Sequence, residues 1–277
     1  MKVYFLILHY QAIQETISCV ESILQLYDNI SIVVIDNNSP NKSGRELEER
    51  YREYENIKII ITKGNLGFAR GNNVGYEYAK SQGADFIIQV NNDTLFEDKN
   101  FVKTMLQLYE KEKYAVLGPD VICVKDGCHQ NPLRRFKITK RSVIWKIIKN
   151  SVGNVLADIN LDNIIKKELK YQPKWEKAIN ITLSKEFVLQ GCCYIFSPFY
   201  IKEFDGMFDG TFMYYEEYIL DYLCRKKQLK IIYSPELSVK HLRKAATTSV
   251  IENGKDKRKF KYKNSVESLK SFYKRCL

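Results

Sequence analysis

Long apolar runs are missing from this chain. In 277 residues no stretch approaches the ~18–20 apolar residues that a bilayer-crossing helix needs, so no part of it reads as a membrane span. The opening, Met1 to Leu8, resembles a short signal peptide, but its apolar run ends at His9 with no small-residue cleavage site. It reads as a first, fully buried strand. Histidine is scarce. His9, His129 and His241 are the only three, and a lone histidine is usually structural. The seven cysteines lack metal-ligand spacing, and their odd number and the adjacent Cys192-Cys193 argue against a disulfide framework. A reducing, cytoplasmic setting is the expectation. Internal repeats and low-complexity linkers are also absent. Acids are outnumbered, leaving a net charge of +11. The surplus crowds residues 125–177 and 255–275. A basic surface attracts nucleic acid, anionic lipid or anionic substrate. Lys255 to Lys263 interleaves lysine with aromatics, which suits a segment lying on anionic headgroups. It suits a solvated basic tail equally well.

What is present is a core-forming composition, 45% hydrophobic, enough for one large α/β domain or a domain with a small appendage. The first ~120 residues alternate strand and helix patterns, as a sheet with crossover helices does. Strands are expected at 3–9, 30–36, 57–61, 86–90 and 115–118, all apolar on both faces as inner parallel strands should be. Helices are expected at 15–27, 44–54 and 101–112. Residues 125–184 break the rhythm and read as a basic, partly helical insertion, with helical periodicity from 142 to 170. Strand and helix patterns return with a strand at 186–196 interrupted by Gly191, a helix at 215–227, a strand at 229–233 and an extended piece ending at His241.

Ligands of open α/β sheets bind beyond the carboxyl ends of the strands. His9-Tyr10, Asp36 and Asn91-Asn92-Asp93 all fall there. Asp36 is able to accept a hydrogen bond from a pyrimidine N–H, although Asp36-Asn37-Asn38-Ser39-Pro40 also reads as a plain turn. Gly64 to Asn73 opens a helix with Asn65 as a fair cap. Its backbone N–H groups and Arg70 favour a phosphate, and a helix start with a surface arginine is the bland alternative. Asp93, among oxygen-bearing neighbours, suits a hard divalent cation that bridges phosphates. His241 adds a nitrogen. Glu216-Glu217 begin a helix, where the dipole stabilises carboxylates. One of them is also placed to act as a general base.

Taken in order, Val34-Ile35-Asp36-Asn37-Asn38-Ser39, Asn65-Leu66-Gly67-Phe68-Ala69-Arg70-Gly71-Asn72-Asn73, Val90-Asn91-Asn92-Asp93-Thr94, Phe212 to Leu220 and Val239-Lys240-His241 resemble family 2 glycosyltransferases. The nearest in pattern are rhamnosyl- and galactofuranosyltransferase-like enzymes. The resemblance spans roughly 1–124 and 186–248. It implies a GT-A fold, Rossmann-like, with a mostly parallel central sheet and a helical insertion. It also implies an inverting, single-displacement transfer from a UDP- or dTDP-sugar, with Mg²⁺ or Mn²⁺ as cofactor. The implied donor-binding set is His9, Tyr10, Asp36, Asn38, Asn65, Gly67, Arg70, Asn72, Asn91 and Asn92. Asp93 and His241 would hold the metal, with Asn91 standing where the family has the first carboxylate of Asp-x-Asp. Glu217 sits in the slot of the family's aspartate base, with Glu216 as rival. Gly191-Cys192 would line the acceptor side. The implied layout is a transferase domain over 1–250, divided at 124 and 184, and a basic segment over 251–277. The acceptor would be a saccharide, lipid-linked, in cell-surface polysaccharide synthesis at the inner membrane face, with an anionic membrane surface as a further partner. The rival readings are a catalytically inactive fold kept for binding and a nucleic-acid-binding protein. The second lacks any recognised nucleic-acid motif.

Overall fold

The structure is a computed structural model that describes residues 1–26, 29–162, 181–182, 187–243 and 254–277. Strands β1 (Val3–His9), β2 (Ile30–Asp36), β3 (Ile57–Ile61) and β4 (Phe86–Asn91) alternate with helices α1 (Ile13–Leu24), α2 (Ser43–Arg50) and α3 (Phe68–Ser81). Next come β5 (Thr94–Leu95), α4 (Phe101–Glu112), β6 (Val116–Cys123), β7 (Leu133–Arg134) and α5 (Lys140–Asp158). Then follow β8 (Ile181–Thr182), β9 (Phe187–Val188), β10 (Cys193–Phe196), α6 (Pro198–Glu203), α7 (Glu216–Lys226), β11 (Ile231–His241) and α8 (Gly254–Cys276).

The main sheet runs β3-β2-β1-β4-β10-β6-β11-β5, with β8 also on β11. β1 to β4 are parallel, and β10 enters antiparallel between β4 and β6. The strands are apolar on both faces because both faces are covered. Odd residues of β1 (Val3, Phe5, Ile7) pack with Ile17, Val20 and Ile23 of α1 and Phe101 and Met105 of α4. Leu6 points the other way, toward Ala69, Tyr76 and Ala79 of α3 and Leu220 and Cys224 of α7. A third, smaller core joins Val143 of α5, Ile219 of α7 and Leu269 and Phe272 of α8.

The structure differs from the sequence expectation at several points. β3 is an edge strand, with Ile61 40% exposed, not an inner one. The expected 229–233 strand and the following extended piece are one strand with an irregularity between Ser234 and Ser238. The helix expected to 170 ends at Asp158, with 163–170 outside the described residues, as are Tyr27 and Trp175. The basic tail is an ordered helix. Its aromatics turn inward: Phe260 sits near Phe212 and Tyr214, and Tyr262 lies against Gly153 with its hydroxyl 3.3 Å from Asp162.

Candidate active site

In-register pairing aligns the strand ends. His9 pairs with Asp36, and Leu8 with Asn91, so three loops open at one edge. Asp36 is buried, and its Oδ1 accepts from Ser39 N at 3.1 Å and Ser39 Oγ at 2.5 Å. Gly44, in the first turn of α2, is pressed against this carboxylate. A Cβ there would lie 2.1 Å from Asp36 Oδ2. The His9 ring is not turned toward a ligand. It is held between Thr16 Oγ1 (2.7 Å) and Ser43 Oγ (2.8 Å), and burial depresses its pKa to about 4 against the pull of Asp36, so it is neutral at pH 7. Tyr10 is half-buried and Asn38 is exposed with φ 59°.

Asn37, given no role of its own in the sequence, ties this edge together. Its amide donates to Asn65 Oδ1 (3.0 Å) and Gly67 O (3.3 Å), and its oxygen accepts from Leu66 N (2.8 Å). Gly67 needs to be glycine. Its φ is +80°, and a Cβ would meet Phe212 O at 2.3 Å, while Phe68 N donates to that same carbonyl. The loop before α3 is thereby fastened to the loop before α7. Asn72 is buried and bonded to Phe68 O within α3, and Asn73 grips both backbone groups of Met207. Arg70 is exposed and makes no hydrogen bond or ion pair among the described residues.

At the end of β4 the side chains part company. Asn92 turns inward to Thr16 Oγ1 and Ala12 O, which removes it from the ligand-facing set. Asn91 is half-buried at the edge. Asp93 is 1% exposed, and its Oδ1 lies 3.3 Å from His241 Nε2. His241 Nδ1 meets Gln130 Oε1 at 2.7 Å. An amide oxygen only accepts, so Nδ1 carries the proton, and whenever the ring is neutral its Nε2 lone pair is turned toward Asp93. That atom is buried and makes no hydrogen bond. A lone pair facing a carboxylate is a repulsive arrangement that a cation relieves. An outer-nitrogen donor bond of this kind is also how metal-binding histidines are oriented. The residues fit a divalent cation on that ground. Gln130 carried no sequence signal.

The next residue, Thr94, reaches Cys192 Sγ at 3.0 Å. At the preceding residue of the same turn, a Cβ on Gly191 would lie 3.3 Å from Glu217 Oε1. Asp93 and Glu217 therefore both lie near one Gly191-Cys192 turn, although 124 positions separate them in sequence. Two consecutive left-handed residues, Tyr214 (φ 75°) and Tyr215 (φ 72°), deliver the acids. Such conformations cost about 1–3 kcal/mol each for side chains of this kind. Glu216 is sealed at 7% exposure, and its Oε1 makes no hydrogen bond. Burial, and then the charge of Glu217, push its pKa up to about 8. Glu217 is half-buried. Burial raises its pKa also, while Lys261 of α8 opposes the rise. The pair divides into a closed acid that holds its proton at pH 7 and a less buried neighbour beside the Gly191-Cys192 turn.

A second cluster escaped the sequence. Cys123, Asp126 and Cys128 place ligand atoms within 4.8 Å of one another. Hydrogen bonds from both thiols hold Asp126 down to about 2, and Arg243 lies 3.6 Å away, so the cluster is internally satisfied.

Residues 4–168, more than half of the chain, match the family described as Glycosyl transferase family 2. The chain belongs to that family. Family 2 relatives include the dTDP-rhamnosyl transferase RfbF of Shigella flexneri, 27% identical over 39% of this chain and 35% of its own. An uncharacterized glycosyltransferase of Haemophilus influenzae is 42% identical over 58% of this chain and 53% of its own. The low-salt glycan biosynthesis hexosyltransferase Agl10 of Haloferax volcanii is 24% identical over 76% and 60%. The matched region thus spans between a third and three fifths of these relatives. Among solved structures, S. aureus TarS 1–349 in complex with UDP superposes with a TM-score of 0.57 at 15% identity, over 87% of this chain and 60% of that one. GalNAc-T7 with UDP, GalNAc and Mn²⁺ gives 0.61 at 12%, over 89% and 44%. At these identities the likeness concerns the fold, which is GT-A.

Proposed function

We propose that the chain transfers a sugar from a nucleoside diphosphate donor, UDP- or dTDP-linked, to a hydroxyl of a saccharide acceptor with inversion at the sugar carbon. The observation that carries this reading is that Asp93 and Glu217 come together near one Gly191-Cys192 turn. The dTDP-rhamnosyl transferase among the relatives and the UDP in the TarS complex support the donor class.

In this reading Asp36 accepts a hydrogen bond from the pyrimidine, held in place by Ser39 and Gly44. Arg70, in the first turn of α3, reaches the diphosphate. Asp93 and His241 would hold Mg²⁺ or Mn²⁺, with Asn91 in the position of a missing carboxylate. An imidazole ligand favours the softer Mn²⁺. Bound there, the cation would neutralise charge on the departing diphosphate. Glu217 takes the proton from the acceptor hydroxyl as that oxygen attacks from the face opposite the leaving group. Glu216 stays protonated beside it and adds no second negative charge. The acceptor is a saccharide carried on a lipid, as in cell-surface polysaccharide assembly.

The test pairs two substitutions. Glu217→Gln is expected to lower the transfer rate by about 10³-fold while calorimetry shows UDP or dTDP binding with Mn²⁺ unchanged. Asp93→Ala is expected to abolish the Mn²⁺-dependent part of that binding. Full transfer by the Gln variant, or Mn²⁺-dependent binding that survives Asp93→Ala, overturns the assignment.

A further inference from the structure

Helix α5 is apolar on two opposite faces. Its inner face (Val143, Gly153, Ala157) is buried against α7 and α8. On the outer face Ile144, Trp145, Ile148, Val152, Val155 and Ile159 recur at helical spacing, each 42–65% exposed. A helix that is apolar all round is normally covered all round, and an exposed apolar stripe of this length marks a contact site.

We propose that this outer face of α5 docks onto an anionic lipid surface. Charge decides between occupants. Between Asp126 and Asp158 the chain has no acid, but it has Arg134, Arg135, Lys137, Lys140, Arg141, Lys146 and Lys149. Arg135 is engaged with Asp221 at 2.7 Å. Lys140 and Arg141 are exposed at the start of the stripe, and Lys149 stands beside Trp145. A second copy meeting the stripe by two-fold symmetry would bring these cations against themselves, which like-charge repulsion opposes. A bilayer of anionic headgroups accepts both features at once: the apolar side chains enter the acyl boundary, and the cations remain at headgroup level. Trp145 belongs at such an interface. The surface moves from the tail, where the sequence suggested it, to α5, because the tail aromatics are packed inward.

The placement is also functional. Asn150 of α5 reaches the Tyr215 hydroxyl at 3.4 Å, and Tyr215 immediately precedes the acid pair. Docking would hold the base beside the membrane. This last point rests on the proposed lipid-carried acceptor, whereas the docking itself does not.

The experiment uses the full chain, vesicle flotation and no donor, so its failure is distinct from failure of the transfer reading. Binding is expected to phosphatidylcholine vesicles containing phosphatidylglycerol and not to phosphatidylcholine alone. The double variant Ile148→Ser, Val155→Ser should bind at least about tenfold more weakly, its circular dichroism unchanged because both sites are exposed. The chain has two tryptophans, so in Trp175→Phe the emission of Trp145 should shift to the blue on addition of anionic vesicles. Equal binding by the double variant, no preference for anionic vesicles, or a dimer in sedimentation that the double variant dissociates would each overturn the proposal.

Discussion

In the proposed reading the site has a donor side at the ends of β1, β2 and β4 and an acceptor side at the loop before α7. On the donor side, loops are tied by neighbours. Ser39 holds Asp36, Thr62 bonds to the Asp36 carbonyl, and Asn37 fastens the segment 65–67. On the acceptor side, the loop 207–217 is held from far along the chain. Ser268 donates to Met213 O (3.0 Å), Arg275 pairs with Asp209 (2.6 Å), and Phe260 sits near Phe212 and Tyr214. That loop also carries two tyrosines in left-handed conformation. The difference teaches where strain is tolerated. The strand-end loops are tied by near neighbours, whereas the turn that precedes Glu217 is strained and is held by α8 together with contacts from α3 and α5.

The strongest way to break this contrast is Phe272→Ala. Phe272 is 1% exposed in the core that joins α5, α7 and α8, and its removal should cost about 3–5 kcal/mol, read by denaturant unfolding. Transfer should fall with it while UDP or dTDP affinity at low temperature holds. An equal loss of nucleotide affinity would show that the two sides are one unit. Gly67→Ala attacks the seam. With φ +80° and Phe212 O in the way, about 2 kcal/mol of stability should be lost, and nucleotide binding and transfer should weaken together. Loss of transfer alone would place the seam wholly on the acceptor side. The smallest effect sharpens the contrast between the acids. Glu216 is raised from 4.5 to about 8 in the folded chain, so the folded state binds the proton more tightly than the unfolded one. Its contribution to stability is fully present below pH ~4.5 and is lost as pH rises through about 8. Glu216→Gln should therefore flatten the decline of Tm between pH 5 and 8, measured by calorimetry. An unchanged slope would remove Glu216 as the closed, protonated partner.

In the parallel half the strands were legible to within a residue, whereas the bounds of α1 and α2 shifted by up to four. β1, β2 and β3 have the bounds their apolar runs suggest, since strands buried on both faces leave no other period to read. The acceptor half was less so. α8 has lysine at nearly every other position of its first turns, which hid the contacts made by Phe260, Tyr262 and Phe272. Asn92 looked like Asn91 in sequence, yet Asn91 ends β4 at the edge while Asn92, in the turn that follows, bonds back to Thr16 and Ala12.

By itself the sequence determined the order of elements and which polar residues close the strands. Continuous apolar runs end where His9, Asp36 and Asn91 end them, and parallel pairing then brings those ends level. Only the tertiary structure decided that Glu217 is half-buried while Glu216 is sealed, that Gln130 orients His241 across 111 positions, and that α5 presents an exposed apolar face. Each depends on which distant surfaces remain after the sheet closes, and no local pattern encodes a contact between segments that meet only in the folded chain.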